Sequence, residues 1–172
     1  MRRGLFIHFS LMQIVHFTEQ TDFSTFVAYK HSTMGRILAI DYGQKRVGLA
    51  VTDILHITAN GLDTVLVHEV LDYLEKYITK EPVEKFVIGL PKQMNGQDSD
   101  SMQYIRPFVV GLQRKFPDIE LVYMDERFTS VLAHKAMLDG GLKKKDRQNK
   151  ELVDKISATI ILQSYMESIH KY

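Results

Sequence analysis

Two short apolar runs joined by a polar turn begin the regular part of this chain and constrain its fold most strongly. The runs are RILAID (36–41) and VGLAVTD (47–53), and YGQKR lies between them. Runs rich in β-forming residues around a tight turn predict a hairpin, and the continuous apolar character of the first run predicts a strand buried on both faces. A third strand is expected within ILHITANGLDTVLV (54–67), although Asn60 and Gly61 interrupt it.

The remainder of the chain alternates helical and strand patterns. Apolar residues recur at helical spacing in three segments, a fourth short segment also favours a helix, and two buried-strand patterns lie between the helices. Such strand–helix units imply parallel pairing, so we predict one α/β domain over 34–172. Its mixed sheet has antiparallel hairpin strands followed by parallel strands, with helices on both faces. The segments are helices at 70–78, 102–116 (despite Pro107), 130–138 and 151–169, and strands at 86–91 and 119–126.

The first 33 residues differ from the rest. They are aromatic-rich, show no clear period, and precede a second methionine, Met34. Polar residues such as His8 and His16 interrupt the apolar run, and no small-x-small cleavage motif follows, which argues against a signal peptide. No apolar run is long enough to cross a bilayer. We expect residues 1–33 to be a mis-assigned start or a poorly ordered extension.

Composition excludes some classes of site. The 172 residues include no cysteine, so a disulfide framework or a thiolate zinc site is excluded. The formal charge is +1, so a nucleic-acid-binding surface would have to be local. One candidate is the basic run at 143–150, whose plainer interpretation is a solvated loop.

Acidic residues stand where two of the predicted strands end. Asp41 closes the first buried strand, at the sheet edge where ligands bind in open α/β folds. It could equally be a turn residue that caps Gly43. Asp125 and Glu126 end a later strand, and because strand side chains alternate, only one of these two can share a face with Asp41.

A third acid, Asp154, lies on the final helix. It shares one stripe with Ser157, Ala158 and Ile161. A carboxylate there is costly to bury unless it is paired or binds a metal, although a position near the helix start could also be favoured by the helix dipole. Acids that meet at one sheet edge repel each other unless a divalent cation neutralises them. Mg²⁺ prefers such oxygen ligands and supports phosphoryl hydrolysis without a serine, cysteine or histidine nucleophile.

Four segments resemble the signature segments of the YqgF family. They are ILAIDYGQKRVGLAVTD, VIGLPKQMNG, YMDERFTS and LVDKISATIILQSY, in the family's order across 34–165. The family comprises pre-16S ribosomal RNA nucleases, also described as Holliday-junction-resolvase-like proteins. The resemblance implies a ribonuclease-H-like fold and a cytoplasmic, Mg²⁺- or Mn²⁺-dependent endonuclease that matures the 5′ end of precursor 16S rRNA.

The resemblance also assigns residues. The family's acidic positions fall on Asp41, Glu126 and Asp154, which it implies are catalytic and hold the metal. Glu126 is preferred to Asp125 because the family's DER motif places its functional acid second. Six basic residues are implied to approach the nucleic-acid backbone, where lysines would contact phosphate without reading sequence: Lys45, Arg46, Arg127, Lys143, Lys144 and Lys145.

Three alternatives stay open on sequence grounds. A Holliday junction resolvase acting on branched DNA would need the same acids and the same basic groove. A non-catalytic nucleic-acid-binding module could keep the fold, although it would have little reason to hold carboxylates against a phosphate backbone. A sugar-kinase or actin-like ATPase normally uses two related domains, which disfavours it for a chain of this length. The sequence allows a monomer or a homodimer.

Overall fold

One five-stranded mixed sheet organises the part of the chain that the computed structural model describes, residues 35–90, 101–125 and 129–170. The order across the sheet is β3-β2-β1-β4-β5, in which β1–β2 and β2–β3 pair antiparallel and β1–β4 and β4–β5 pair parallel. The strands are β1 (Arg36–Tyr42), β2 (Arg46–Thr52), β3 (Ala59–Leu66), β4 (Val83–Leu90) and β5 (Glu120–Asp125). The predicted ribonuclease-H-like sheet, antiparallel first and parallel after, is confirmed. The expectation for residues 1–33 lies outside the described residues.

Five helices connect or cover these strands within the described ranges. The prediction that a basic loop precedes the last helix is wrong in part, because one helical turn forms within it. No described helix is both long enough and apolar enough to cross a bilayer. The helices are α1 (Val70–Ile78), α2 (Met102–Lys115), α3 (Thr129–Asp139), α4 (Lys144–Arg147) and α5 (Lys150–His170).

The sheet is covered on both faces, as predicted. Helices α1 and α2 pack on one face, where large aliphatic and aromatic side chains form what we name the α1/α2 core. Helix α5 packs on the other face, where smaller residues form the α5 core. The α1/α2 core includes Leu38, Ile40, Leu49, Leu74, Phe86, Ile88, Ile105 and Leu112. The α5 core includes Ile37, Ala39, Ala50, Val87, Ala158, Ile161, Leu162 and Tyr165.

The expected interruption of β3 at Asn60 and Gly61 does not occur: Asn60 pairs with Val51 and Gly61 with Ala50, and a bulge lies one residue later, at Leu62. The strand continues through both residues, and its register against β2 shifts between Leu49 and Ala50. A Cβ on Gly61 would lie 2.6 Å from the Lys155 Cγ atom of α5. The glycine therefore lets the edge strand pass close beneath the final helix.

Helix α5 crosses the sheet in a direction fixed at both ends. Near its start, the Thr64 hydroxyl of β3 donates a 2.8 Å hydrogen bond to the Glu151 carbonyl oxygen. Near its other end, the Lys85 ammonium of β4 donates a 3.1 Å hydrogen bond to the Tyr165 hydroxyl. The helix thus begins over the hairpin edge β3–β2 and ends over β4, and its first turns lie above the carboxyl end of β1.

Candidate active site

Asp41 projects from the sheet face that α5 covers. Along β1, Ala39 belongs to the α5 core, whereas Ile40 belongs to the α1/α2 core. Tyr42 also points to the α1/α2 side, where its ring stacks on Phe108 at 4.3 Å between centroids. Strand alternation therefore places the Asp41 carboxylate under the first half of α5.

Gly48 brings the final helix close to Asp41. It pairs with Asp41 across the β1–β2 hairpin. A Cβ on Gly48 would clash with the backbone carbonyl group of Asp154. The missing side chain thus allows the α5 backbone to rest directly on β2, so that Asp154 lies beside the strand pair that carries Asp41.

Asp154 has a cationic partner within the site. The Arg46 Nε atom, at the start of β2, donates a 3.0 Å hydrogen bond to Asp154 Oδ2. Both side chains are about a quarter exposed, 28% for Arg46 and 29% for Asp154. The ion pair therefore orients Asp154 while leaving it open to solvent, and a pair this exposed contributes mainly orientation rather than stability.

Asp41 has no comparable partner. No residue in the described ranges makes a hydrogen bond or ion pair with its carboxylate, whereas Asp154 interacts with it through charge. Burial, followed by the negative charge of Asp154, raises the pKa of Asp41 from 3.8 to about 7. The site therefore holds two acids that repel each other, and among the described residues Arg46 pairs with Asp154 but not with Asp41.

The turn-cap interpretation of Asp41 and the helix-dipole interpretation of Asp154 do not fit the geometry. The hairpin turn is closed by the Gly43 N–H, which donates to the Arg46 carbonyl oxygen at 3.0 Å, so Asp41 does not cap it. The start of α5 is capped by Asn149, whose Oδ1 accepts a 3.0 Å hydrogen bond from the Glu151 N–H. Asp154 lies beyond that first turn, where the helix dipole has little effect.

The remaining predicted residues lie in several places. Asp125 ends β5 as an exposed residue, and because Met124 packs with the α5 core, alternation turns Asp125 to the opposite face. Glu126 and Arg127 lie outside the described residues. Lys45 is exposed in the hairpin turn, and Lys143, Lys144 and Lys145 are exposed around α4. Arg46 pairs with Asp154, a partner that the sequence alone did not reveal.

The oxygen donors at this edge fit a hard divalent cation. Asp41 supplies a carboxylate with no protein partner in the described ranges, and Asp154 supplies a second one nearby. Among the described residues no three side chains of histidine, cysteine, aspartate or glutamate gather around a common point. A complete Mg²⁺ site would use one or two carboxylates with phosphate oxygens and water, which the described pair satisfies.

The sequence pattern alone did not mark Ser157 as part of a site. It is a buried polar side chain on α5, only 5% exposed, one turn after Asp154. The signal was visible as a hydroxyl next to Asp154 within a stripe that is otherwise small or apolar. Spacing alone could not show whether that hydroxyl has a hydrogen-bond partner.

The chain is similar to known proteins over nearly all of this domain. A family model described as RuvX, Holliday junction resolvase, matches residues 35–168. Over 135 residues the chain is 68% identical to a Phocaeicola vulgatus protein named as a pre-16S rRNA nuclease, covering 78% of this chain and 97% of that one. A Flavobacterium johnsoniae protein of the same name is 56% identical over 135 residues, covering 78% and 98%.

Solved structures also match. RuvC of T. thermophilus in complex with Holliday junction substrate aligns with a TM-score of 0.48 and 15% identity, covering 78% of this chain and 96% of that chain. The Fowlpox virus resolvase in complex with Holliday junction DNA aligns with a TM-score of 0.49 and 15% identity, covering 79% and 99%. The extent of the family model and the identity to the curated relatives establish that this chain belongs to the RuvX family.

Proposed function

We propose that this protein is a metal-dependent endonuclease that hydrolyses phosphodiester bonds, with Asp41, Glu126 and Asp154 holding Mg²⁺ or Mn²⁺. One observation carries the proposal. The Asp41 carboxylate is held under α5 beside Asp154, with no hydrogen bond or ion pair from any described residue. Such an arrangement is unfavourable in a purely structural position and is relieved when a cation binds.

The choice of Glu126 as third acid rests on strand alternation and on the family motif. Val122 and Met124 of β5 pack with the α5 core, so alternate positions along this strand belong to the face of Asp41. That pattern turns Asp125 away from the face of Asp41. The family resemblance assigns the third acid to position 126.

The residues of the site have separable tasks. A bound divalent cation supplies Lewis-acid stabilisation of the phosphoryl oxygens and lowers the pKa of water. Asp41 and Asp154 would hold that cation from β1 and α5, and Arg46 keeps Asp154 in one orientation through its Nε–Oδ2 contact. Asp41 is deprotonated when the cation binds, because a metal ligand must be ionised.

The basic residues are proposed to contact the nucleic-acid backbone. Lys45 is exposed in the turn next to the site, and Lys143, Lys144 and Lys145 are exposed before α5. Lysines on such surfaces bind phosphate and position the substrate without sequence selectivity. Arg127 is included on the resemblance alone. Arg46 is included as well, although its guanidinium also pairs with Asp154.

We propose precursor 16S rRNA as the substrate, cleaved at its 5′ end in the cytoplasm. The names of the Phocaeicola and Flavobacterium relatives support this choice. A four-way DNA junction is the second candidate, and the description of the family model favours it. Both substrates present phosphodiesters to the same acids, so the geometry of the site does not separate them.

A cleavage assay tests the proposal directly. Purified protein is incubated with precursor 16S rRNA or with a four-way DNA junction, with Mg²⁺, with Mn²⁺ or with a chelator. We expect cleavage of the RNA that requires the cation and Asp41. Cleavage of the junction alone would replace the proposed substrate, and undiminished cleavage in the presence of chelator would refute the metal-dependent mechanism.

A further inference from the structure

Ser157 on α5 carries a buried hydroxyl without a hydrogen-bond partner in the described ranges. Its side chain is only 5% exposed. Other hydroxyls on the same helix are paired in the usual way: Thr159 donates to the Lys155 carbonyl oxygen at 2.9 Å, and Ser168 donates to the Tyr165 carbonyl oxygen at 2.6 Å. Ser157 makes neither this backbone contact nor any other within the described residues.

The side of α5 that carries Ser157 is fixed by its neighbours. Ala158 packs in the α5 core and so faces the sheet. Lys155 and Thr159 lie against Gly61 of β3, on one flank of that stripe. At 3.6 residues per turn, Ser157 falls on the opposite flank, which also carries Asp154, and it follows Asp154 by one turn.

A buried hydroxyl with no partner calls for an explanation. Most buried polar side chains are hydrogen-bonded, and one left unpaired destabilises the fold. Alanine would fill this helix position with a higher helix propensity and without a polar group. The serine is therefore unfavourable for the metal-free protein as it stands.

We propose that Ser157 is a positioning residue of the metal site, whose hydroxyl hydrogen-bonds a water molecule that the divalent cation brings with it. This inference rests on the proposed function. Mg²⁺ dehydrates reluctantly and keeps several waters when carboxylates bind it. A buried hydroxyl one turn after Asp154, on the same flank of α5, is placed to pair with such a water.

The test compares Ser157→Ala with the wild type. Mg²⁺ affinity is measured by titration calorimetry, and the unfolding midpoint is measured with a chelator present. We expect Mg²⁺ to bind roughly tenfold more weakly, the lower end of the loss found when an outer hydrogen bond of a metal site is removed. The chelated variant should be at least as stable as the wild type, since the unpaired hydroxyl is gone.

Two further variants make the result specific. Ser168→Ala removes a hydroxyl from the same helix, more than two turns from the site, and should leave Mg²⁺ affinity unchanged. Ser157→Thr keeps the hydroxyl and should restore most of the affinity lost in Ser157→Ala.

The outcomes separate this inference from the proposed function. Mg²⁺ affinity within twofold of the wild type in Ser157→Ala would overturn the role of Ser157 while leaving the metal site in place. A chelated Ser157→Ala that is less stable than the wild type would overturn it too, because the hydroxyl would then have a structural role. Wild-type protein without Asp41-dependent Mg²⁺ binding would refute the proposed function itself.

Discussion

The two faces of the sheet are built from residues of different size. The α1/α2 core joins large side chains such as Leu38, Phe86 and Leu112. The α5 face uses alanines and glycines, among them Ala39 and Gly48, so that a helix backbone reaches the strands. The first face carries the larger cluster of buried side chains, and the second holds Asp41 and Asp154.

This difference separates the face expected to contribute most of the stability from the face that holds the candidate site. Large interlocking side chains contribute most of the hydrophobic stabilisation. Small residues give up part of that contribution and permit a close approach, which places Asp154 beside Asp41. Substitutions on the α1/α2 face should therefore mainly lower stability, and substitutions on the α5 face should mainly lower Mg²⁺ binding or cleavage. Both expectations can be tested.

Asp41→Asn should have the largest effect. Loss of the charged ligand should lower the cleavage rate by roughly 10³-fold, about 4 kcal/mol in the barrier. The same change removes a carboxylate that burial and Asp154 disfavour, so the unfolding free energy at pH 8 without metal should rise. Both quantities are measured on one preparation, by cleavage assay and by denaturant unfolding. If the variant cleaves as fast as the wild type, Asp41 is not part of the active site.

The stability of the metal-free protein should depend on pH because of the same residue. The folded protein keeps a proton on Asp41 up to about pH 7, whereas the unfolded chain releases it near 3.8. Between these values the unfolded state binds fewer protons, so the unfolding free energy falls as pH rises, by on the order of 3 kcal/mol. Unfolding curves in chelator from pH 4 to 8 measure the slope. Asp41→Asn should flatten it, and an equal slope in that variant would assign the effect to other groups.

Leu112→Ala tests the opposite face. Leu112 is fully buried in the α1/α2 core, so its truncation should lower the unfolding free energy by about 3 kcal/mol. Mg²⁺ affinity, measured at a temperature where the variant is folded, should stay at the wild-type value. A parallel loss of affinity would show that the two faces are not independent.

Two glycine substitutions, one on each face of the sheet, test the same difference. Gly48→Ala would push a methyl group into the Asp154 backbone, which should cost about 2 kcal/mol of stability and weaken Mg²⁺ binding. Gly111→Ala, in α2, meets only Leu71 Cδ1 at 3.6 Å and should stabilise the helix by up to about 1 kcal/mol. Thermal unfolding and Mg²⁺ titration of both variants check the expected opposite signs. Equal effects would contradict the close approach of α5 at Gly48.

Much of the fold could be predicted from the sequence because each strand and helix carries its own periodicity. The doubly buried β1 and the long α5 are examples, and the order of the elements indicated the mixed sheet. The site was only partly predictable. Asp41 and Asp154 could be proposed from strand ends and a helix stripe, but their shared face depends on Gly48, whose partner is distant in sequence.

Other contacts could not be predicted for the same reason. The sequence pattern places Arg46 in a turn, and only the tertiary structure shows that its guanidinium pairs with Asp154. In the sequence Ser157 is one small residue among several on its helix stripe. That its hydroxyl has no hydrogen-bond partner among the described residues can be seen only from the tertiary structure. Local pattern identifies which residues are buried, whereas long-range packing decides which charges meet.

The seating of α5 on Gly48 also bears on when the protein becomes active. The acid pair unites the first strand with the last helix, so a nascent chain that has not yet emerged beyond α4 has Asp41 but no counterpart for it. Synthesis from the amino end therefore delays assembly of the acid pair until almost the whole polypeptide has left the ribosome. Under the proposed mechanism, the nuclease would gain activity only after α5 has emerged.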